Sequence, residues 1–453
     1  MELAPITAPG PEAPAPDALG TAVPEAPAPA LPALLSLLHL DRYRNEGTRV
    51  YSPHAGYTEA REQYRPNSRH TSFHLPVFEI SAADMRVFEA NPPPALRELY
   101  LRADAVAFCV HPQVLEGACR DPYLQRTLTL GVRRDPVLVA PSSSTRTLYV
   151  LDQDDPTRLA TPSHALKVHF PFRVSRYGRK MREEVVEQAV NVSRELEAGV
   201  GSMDGRFAFL REVLGVTHRD VDPDAPRGEN WGYLVRDMAP FPPSAEGRLL
   251  VPGFALYGGD FFQPKRPPLL FELMGLDLVE RETGSRHDPR DFLLGALFLP
   301  IIRHWVQCFL TFGLMLEPHG QNVLLEMDGE GRVQRIVHRD LSPGIDMRRR
   351  RDLGLSSESL NMYNRMEDGT FASIAYDRMM GGHFFDHLLA PVLAAFPTLC
   401  PEDFRDPCRE EFARLFPDHE RYLPRTVQYF SEERDEFGKP LHQDTGRAPE
   451  WRP

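Results

Sequence analysis

At 453 residues the chain is too long for one compact core, so two or three substructures are expected, and its 42% hydrophobic and 26% charged content is that of a folded globular protein. The formal charge of -12 argues against a broad surface of clustered Lys and Arg for nucleic acid. Five cysteines (Cys109, Cys119, Cys308, Cys400, Cys408) without CxxC spacing argue against a disulfide framework or zinc site and fit a reducing, cytoplasmic compartment.

Residues 1 to about 32 alternate Pro and Ala and cannot bury apolar area, so a disordered tail is expected, taken as far as residue 45 with a short helix at Leu31 to Leu40. No basic segment followed by an apolar core marks a signal peptide. A reduced N-terminal part is assigned to residues 46–135, with helices at Ala82 to Ala90 and Ala95 to Arg102 and a strand at Ala105 to Val110 leading into His111-Pro112. Residues 136–285 read as strand-rich: Pro136 to Ala140, Thr147 to Leu151, Leu166 to Val174 and Gly232 to Arg236, with an amphipathic helix at Arg179 to Ala198. Residues 286–453 read as mostly helical. There Leu294, Leu297, Phe298, Ile301, Ile302, Trp305 and Phe309 form a core-facing stripe. Pro300, Arg303, His304 and Gln307 interrupt this apolar stretch, which makes it a buried helix and not a membrane span. The run Arg348 to Arg351 is expected in a solvated loop, with attraction of an anionic substrate as the lesser alternative. A further helix is expected at Phe384 to Ala395, bent or restarted at Pro391.

The richest chemistry lies in Glu317-Pro318-His319-Gly320-Gln321-Asn322 and in His338-Arg339-Asp340, at the open ends of two apolar runs joined by Asp-Gly-Glu-Gly. That pattern predicts a β-hairpin pairing Asn322 with Val337 or His338, so that His319, Gln321 and Asn322 face Arg339 and Asp340 with Glu317 just beyond. Carboxylates with an amide oxygen suit Mg²⁺, and an Arg with a His suits an anion. A second segment, Ser142 to Thr147, sets small hydroxyl residues around Arg146, a pattern that can hold phosphate but is also an ordinary turn. Lys167 and Arg179 bracket the strand Val168 to Val174.

Taken in order, SxRT, a Lys-led strand ending in Arg, E-x-H-G-Q-N and R-D resemble the IucA/IucC siderophore synthetases, which work without a nonribosomal peptide synthetase. The resemblance runs from about His111 to about Leu393, and Arg236 is similar to the Arg of a family "RE" segment. It implies an α+β fold shaped like a cupped hand with thumb, fingers and palm, the helical palm carrying the hairpin. It implies an ATP- and Mg²⁺-dependent ligase that adenylates a citrate- or dicarboxylate-like acid and condenses it with an amine or alcohol. By the same resemblance Ser144, Arg146 and Thr147 contact ATP phosphates, joined by Gln321 and Asn322, and Lys167 approaches the α-phosphate. Arg179 and His319 hold the substrate carboxylate, while Asp340, Glu317 and Asn322 hold Mg²⁺. The expected partners are these small molecules, with no nucleic acid and no membrane, and with room for a homodimer.

The family's N-terminal GHPxHPxxK element is missing here, with Ser52 to Gly56 and Tyr64-Arg65-Pro66 as faint remnants, and the chain is short for the family. Two other readings remain. His338-Arg339-Asp340-Leu341 is similar to a kinase catalytic loop, although position 345 is Ile where a metal-binding Asn would stand and the DFG-like Asp435 to Gly438 lies far off. A non-catalytic binding relative is the third reading.

Overall fold

The computed structural model describes residues 36–48, 56–117, 121–152, 162–175, 177–219, 230–244, 249–274, 288–328, 331–358, 360, 365–434 and 440–453. The Pro/Ala stretch, the start of the first expected helix, most of Ser52 to Gly56 and the DFG-like segment lie outside them.

One large, twisted sheet organises the chain. Its strands are β1 (Phe73–Ser81), β2 (Met85–Glu89), β3 (Ala105–Cys109), β4 (Val132–Pro141), β5 (Thr147–Val150) and β6 (His164–Val168). A separate two-stranded ribbon follows, β7 (Phe170–Val174) with β8 (Tyr177–Arg179). The sheet continues with β9 (Phe207–His218), β10 (Gly232–Phe241) and β11 (Leu249–Pro252). After β12 (Leu314–Met315), which belongs to a small three-stranded sheet, come β13 (Val323–Met327) and β14 (Val333–His338). The order is β11-β13-β14-β9-β10-β6-β5-β4-β1-β3, with β2 also on β9. Apart from the parallel β14–β9 pair, neighbours are antiparallel. The predicted α+β character holds as a mixed fold around this sheet, and the hairpin β13–β14 is part of the sheet itself.

Several expected elements change form. Only Ala82–Asp84 of the predicted helix at Ala82 to Ala90 turns helically, and Met85–Glu89 pairs with β9 instead. A strand position for Val87 and Phe88 suits their β-branched and aromatic side chains. The predicted strand Leu166 to Val174 is two strands, because the chain leaves the sheet at His169. The helix expected from Arg179 starts at Glu183, which leaves Arg179 on β8. The tail assigned to residue 45 ends earlier: Leu37–Tyr43 is a helix with Leu37, Leu40, Asp41, Arg42 and Tyr43 buried. Arg42 fastens it to the Pro66 and His70 carbonyls at 3.3 and 2.6 Å, and Arg44 reaches the Pro267 carbonyl at 3.0 Å.

The predicted core stripe is met except at Leu294, which is half-buried at its edge. Leu297, Phe298, Ile301, Ile302, Trp305 and Phe309 are fully buried, along a helix that passes from Pro289–Phe292 through a π-helical turn at Leu293–Phe298 into Leu299–Phe312. Gly313, at φ +66°, ends it with its N–H on the Cys308 and Phe309 carbonyls. Pro391 sits inside the helix Asp386–Ala395, which follows a π-helical stretch at Ile374–Phe385, so no restart occurs there. The four arginines do not form a loop. They lie on the helix Met347–Leu353 and act as staples: Arg349 on the Leu310 carbonyl, Arg350 on the Phe312 carbonyl and Glu195, Arg351 on Glu367.

Candidate active site

The site forms where β5, β6 and β10 meet the open end of the hairpin. Register sets Thr147 opposite Lys167 on β5–β6, and Lys167 opposite Leu234 on β10. Side chains alternate across a strand, so Arg236, two residues beyond Leu234, shares that face with Thr147 and Lys167. The hairpin pairs Val323 with His338, and the Arg339 N–H donates to the Asn322 carbonyl at 2.9 Å. Asn322 is thus opposite Arg339, one residue past the predicted partners, with a register shift at Glu326/Met327. Asp340 follows in left-handed backbone at φ +70°, an unusual conformation for a residue other than glycine that occurs at functional sites.

A cleft of about 240 Å³, including its open mouth, is lined by Ser142, Ser144, Thr147, Arg236, Gln321, Asn322, Arg339 and Asp340. Its hydroxyl side is the β4–β5 loop. The Ser144 hydroxyl accepts the Thr147 N–H at 3.1 Å and lies 3.0 Å from the Ser142 hydroxyl, while Thr145 takes φ +69°. Arg146 does not line this cleft: its guanidinium donates to the Lys180 carbonyl at 3.1 Å.

Lys167 donates to Asp340, joining two residues far apart in sequence. The lysine is buried, whereas the carboxylate keeps 35% side-chain exposure at the mouth. Burial lowers the Lys167 pKa and Asp340 opposes that shift. Desolvation would raise Asp340, but Lys167 and then Arg236 and Arg146 hold its carboxyl well below the usual carboxylate range. Arg236 is itself fixed on the fully buried Glu212 through Nε at 3.0 Å and Nη2 at 2.5 Å.

Beside this pair stand Glu317, His319 and Arg179. Burial, then the charge of Asp340, pushes Glu317 up to about 7 against Lys167 and Arg179. Burial, aided by Arg339 and Arg179 and opposed by Asp340, brings His319 down to about 4, so the ring is neutral near pH 7. Its Nδ1 accepts the Gln321 N–H at 3.2 Å, which leaves the proton on Nε2 as a donor. Arg179 lies on β8 opposite Phe170; its guanidinium makes no hydrogen bond to the described residues, yet its charge is felt at Glu317 and His319. Gly320 allows the loop to close on its neighbours: a Cβ there would lie 2.6 Å from the Tyr257 hydroxyl and 3.0 Å from the Phe254 nitrogen.

The structure therefore brings together Ser144, Thr147, Lys167, Arg179, Glu317, His319, Gln321, Asn322 and Asp340. Arg339 is a correction. It was expected at the mouth to meet an anion, but its guanidinium is buried on Asp41 (2.9 Å) and the Tyr149 hydroxyl (2.9 Å), with Nε on the Gln321 carbonyl (2.6 Å). Asp41 was missed from the sequence, where nothing marks a lone acid in a leucine-rich segment 298 positions before Arg339.

No group of three or more His, Cys, Asp or Glu side chains poised for a metal occurs among the described residues. Mg²⁺ needs less, since it is commonly held by one or two carboxylates and substrate phosphates. Asp340 offers an ionised, partly exposed carboxylate. Asn322 donates Nδ2 to the Glu317 carbonyl at 3.2 Å and leaves its amide oxygen without a partner among the described residues. These groups fit Mg²⁺ on a bound triphosphate.

This cleft, at the end of a sheet-borne hairpin with cations and carboxylates facing each other, sits in a fold seen before. Petrobactin biosynthesis protein AsbB from Bacillus anthracis str. Sterne superposes with a TM-score of 0.63 at 17% identity, over 88% of this chain and 71% of that one. ATP-bound aerobactin synthetase IucA from a hypervirulent pathotype of Klebsiella pneumoniae gives 0.61 at 13% identity, over 92% and 79%. Aerobactin synthetase IucC from the same source gives 0.57 at 14%, over 83% and 67%. The chain has the fold of the siderophore synthetases, as the ordered motifs implied. Residues 294–405 also match the family described as ferric iron reductase FhuF-like transporter. No curated protein matches the sequence.

Proposed function

We propose that this protein is an ATP-dependent, AMP-forming ligase that activates a citrate- or dicarboxylate-like acid and joins it to an amine or alcohol in siderophore biosynthesis. The observation that carries this reading is the ion pair of buried Lys167 with the partly exposed Asp340, set between a hydroxyl-lined cleft and the trio Arg179, His319 and Glu317. The synthetase fold, with an ATP-bound IucA among its neighbours, supports it.

In this reading the β- and γ-phosphates lie along Ser144, Thr147 and Gln321. Arg179 and the Nε2–H of His319 hold the acid's carboxylate. One carboxylate oxygen attacks the α-phosphorus, the bond to pyrophosphate breaks, and an acyl adenylate forms. The amine or hydroxyl then attacks the acyl carbon, AMP departs, and the nucleophile's proton passes to solvent. Lys167 leaves Asp340 to meet the α-phosphate, where negative charge accumulates, and a donor held there is worth ~10²–10³ in rate. Mg²⁺, held by Asp340 and Asn322 with Glu317 alongside, would offset the repulsion between the two anions.

Pyrophosphate release across a panel of carboxylic acids, with hydroxylamine as the acceptor, tests the proposal. Acid-dependent pyrophosphate and AMP are expected. Stoichiometric ADP would favour the kinase-like phosphotransferase, and release of neither product would favour a binding relative.

A further inference from the structure

We propose that Asp41 is a positioning residue that sets the geometry of the nucleotide cleft from the helix Leu37–Tyr43. Its carboxylate is fully buried and closes a ring of hydrogen bonds through both loops of the site. Oδ1 accepts the Ser143 hydroxyl at 3.0 Å, the Ser143 oxygen accepts Gln321 Nε2 at 3.0 Å, the Gln321 carbonyl accepts Arg339 Nε at 2.6 Å, and Arg339 Nη2 returns to Oδ1 at 2.9 Å. Outside the ring, Oδ2 accepts the Tyr149 hydroxyl at 2.6 Å.

Three separate segments thus take their positions from one carboxylate. Ser143 sits between Ser142 and Ser144, which line the cleft, and Gln321 and Arg339 line it directly. Asn322 and Asp340 are the next residues along the chain. A single buried anion facing a guanidinium and two hydroxyls accepts only one arrangement of them, because any other leaves a charge or donor unpaired away from water. The mount is rigid as well. Asn45 Nδ2 donates to the Asp41 and Arg42 carbonyls at 2.9 and 3.0 Å, and Arg42 and Arg44 anchor the helix on both sides. The ring stands on geometry alone, while the identity of the ligand rests on the proposed function.

The test compares three variants of the full chain. Asp41→Asn places a donor against donors and leaves Arg339 uncompensated. Ser143→Ala removes the link between Asp41 and Gln321 and buries no charge. Tyr149→Phe removes the bonds of its hydroxyl to Asp41 and from Arg339 Nη1, leaves the four bonds of the ring in place, and is the matched control for stability. Hydrogen exchange of the apo protein is expected to quicken at least tenfold at the amides of 142–147 and 320–322 in Asp41→Asn and Ser143→Ala, with the amides of the Leu299–Phe312 core helix unchanged. Calorimetric affinity for ATP with Mg²⁺ should fall at least tenfold in the same two variants. Tyr149→Phe should lower the melting temperature without either change. Unchanged loop exchange in Asp41→Asn and Ser143→Ala, or equal loop exchange in Tyr149→Phe, would overturn the inference. Absence of ATP binding by the unaltered protein would instead count against the proposed function, and the exchange data would still decide the role of Asp41.

Discussion

At the scale of single residues, two side chains divide the proposed site into an acid half and a nucleotide half. Arg179 keeps its guanidinium free of hydrogen bonds to described residues and presents its charge to His319 and Glu317. Arg179→Lys retains the charge but loses the planar fork that matches a carboxylate, so it should raise the KM for the acid far more than that for ATP. Equal increases in steady-state assays would move Arg179 to the nucleotide side. Asp340 carries the other half. Asp340→Asn removes the countercharge of the buried Lys167 and one anionic Mg²⁺ ligand, so metal affinity should fall. If Asp340 acts through the metal, raised Mg²⁺ or a change to Mn²⁺ restores much of the lost rate. A base in its place could not be rescued this way, and a rate that stays flat across the metal titration while nucleotide still binds would remove the metal-ligand role. Glu317, His319 and Asp340 were legible in the sequence because so many functional types meet at one hairpin end, whereas Lys167 and Arg179 were legible only through the ordered resemblance. Asp41 was not, since its meaning lies wholly in a contact across 298 positions.

At the scale of elements, the hairpin was readable from its two apolar runs and turn, yet its register depended on an irregularity between Glu326 and Met327 that no pattern announces. The longest strand went unseen. β9 is buried along nearly its whole length and so shows no alternation, and Arg211 with Glu212 interrupts its apolar run. Those two charges are part of its function in the fold: Arg211 meets Asp237 at 2.7 Å, and Glu212 holds Arg236 against the cleft. The N-terminal helix offers a test at this scale. Deletion of residues 1–32, a stretch of Pro–Ala composition, should leave the melting temperature and activity nearly unchanged. Deletion through residue 45 strips Asp41 from the buried Arg339 and should cost ~3–5 kcal/mol, the usual range for a broken buried pair. A loss of several degrees from the shorter deletion, or none from the longer, would refute this division of the segment.

At the scale of the whole molecule, acid stability follows from histidines that the sheet buries without charge. Burial pulls His111, His169 and His218 down to about 3 and His164 down to about 4. Each lies against aromatic rings: His111 beside Tyr64, Phe73 and Phe170, His169 stacked on Trp231, His218 beside Phe108, and His164 against Tyr100. The unfolded chain binds a proton at each near pH 6.5, and the folded chain does not until pH 3–4, so folding releases protons throughout that window. The folded-state values are depressed bases, and their contribution is therefore complete above about pH 6.5 and is lost as the pH falls. Each histidine contributes a slope of ~1.4 kcal/mol per pH unit, so four approach ~5 kcal/mol per unit against a total stability of ~5–15 kcal/mol. Glu317, raised to about 7, works in the opposite sense: it takes up a proton on folding between its unfolded value and pH 7 and offsets one of the four. Urea denaturation followed from pH 7.5 to pH 5 should show stability falling steeply below pH 6.5, well above the range in which ordinary carboxylates titrate. His111→Phe, which fits its ring of Tyr64, Phe73 and Phe170, should reduce that slope by one proton even where it changes the stability itself. A stability that stays level from pH 7.5 to pH 5 would mean that these histidines keep their protons on folding, and would sink the prediction.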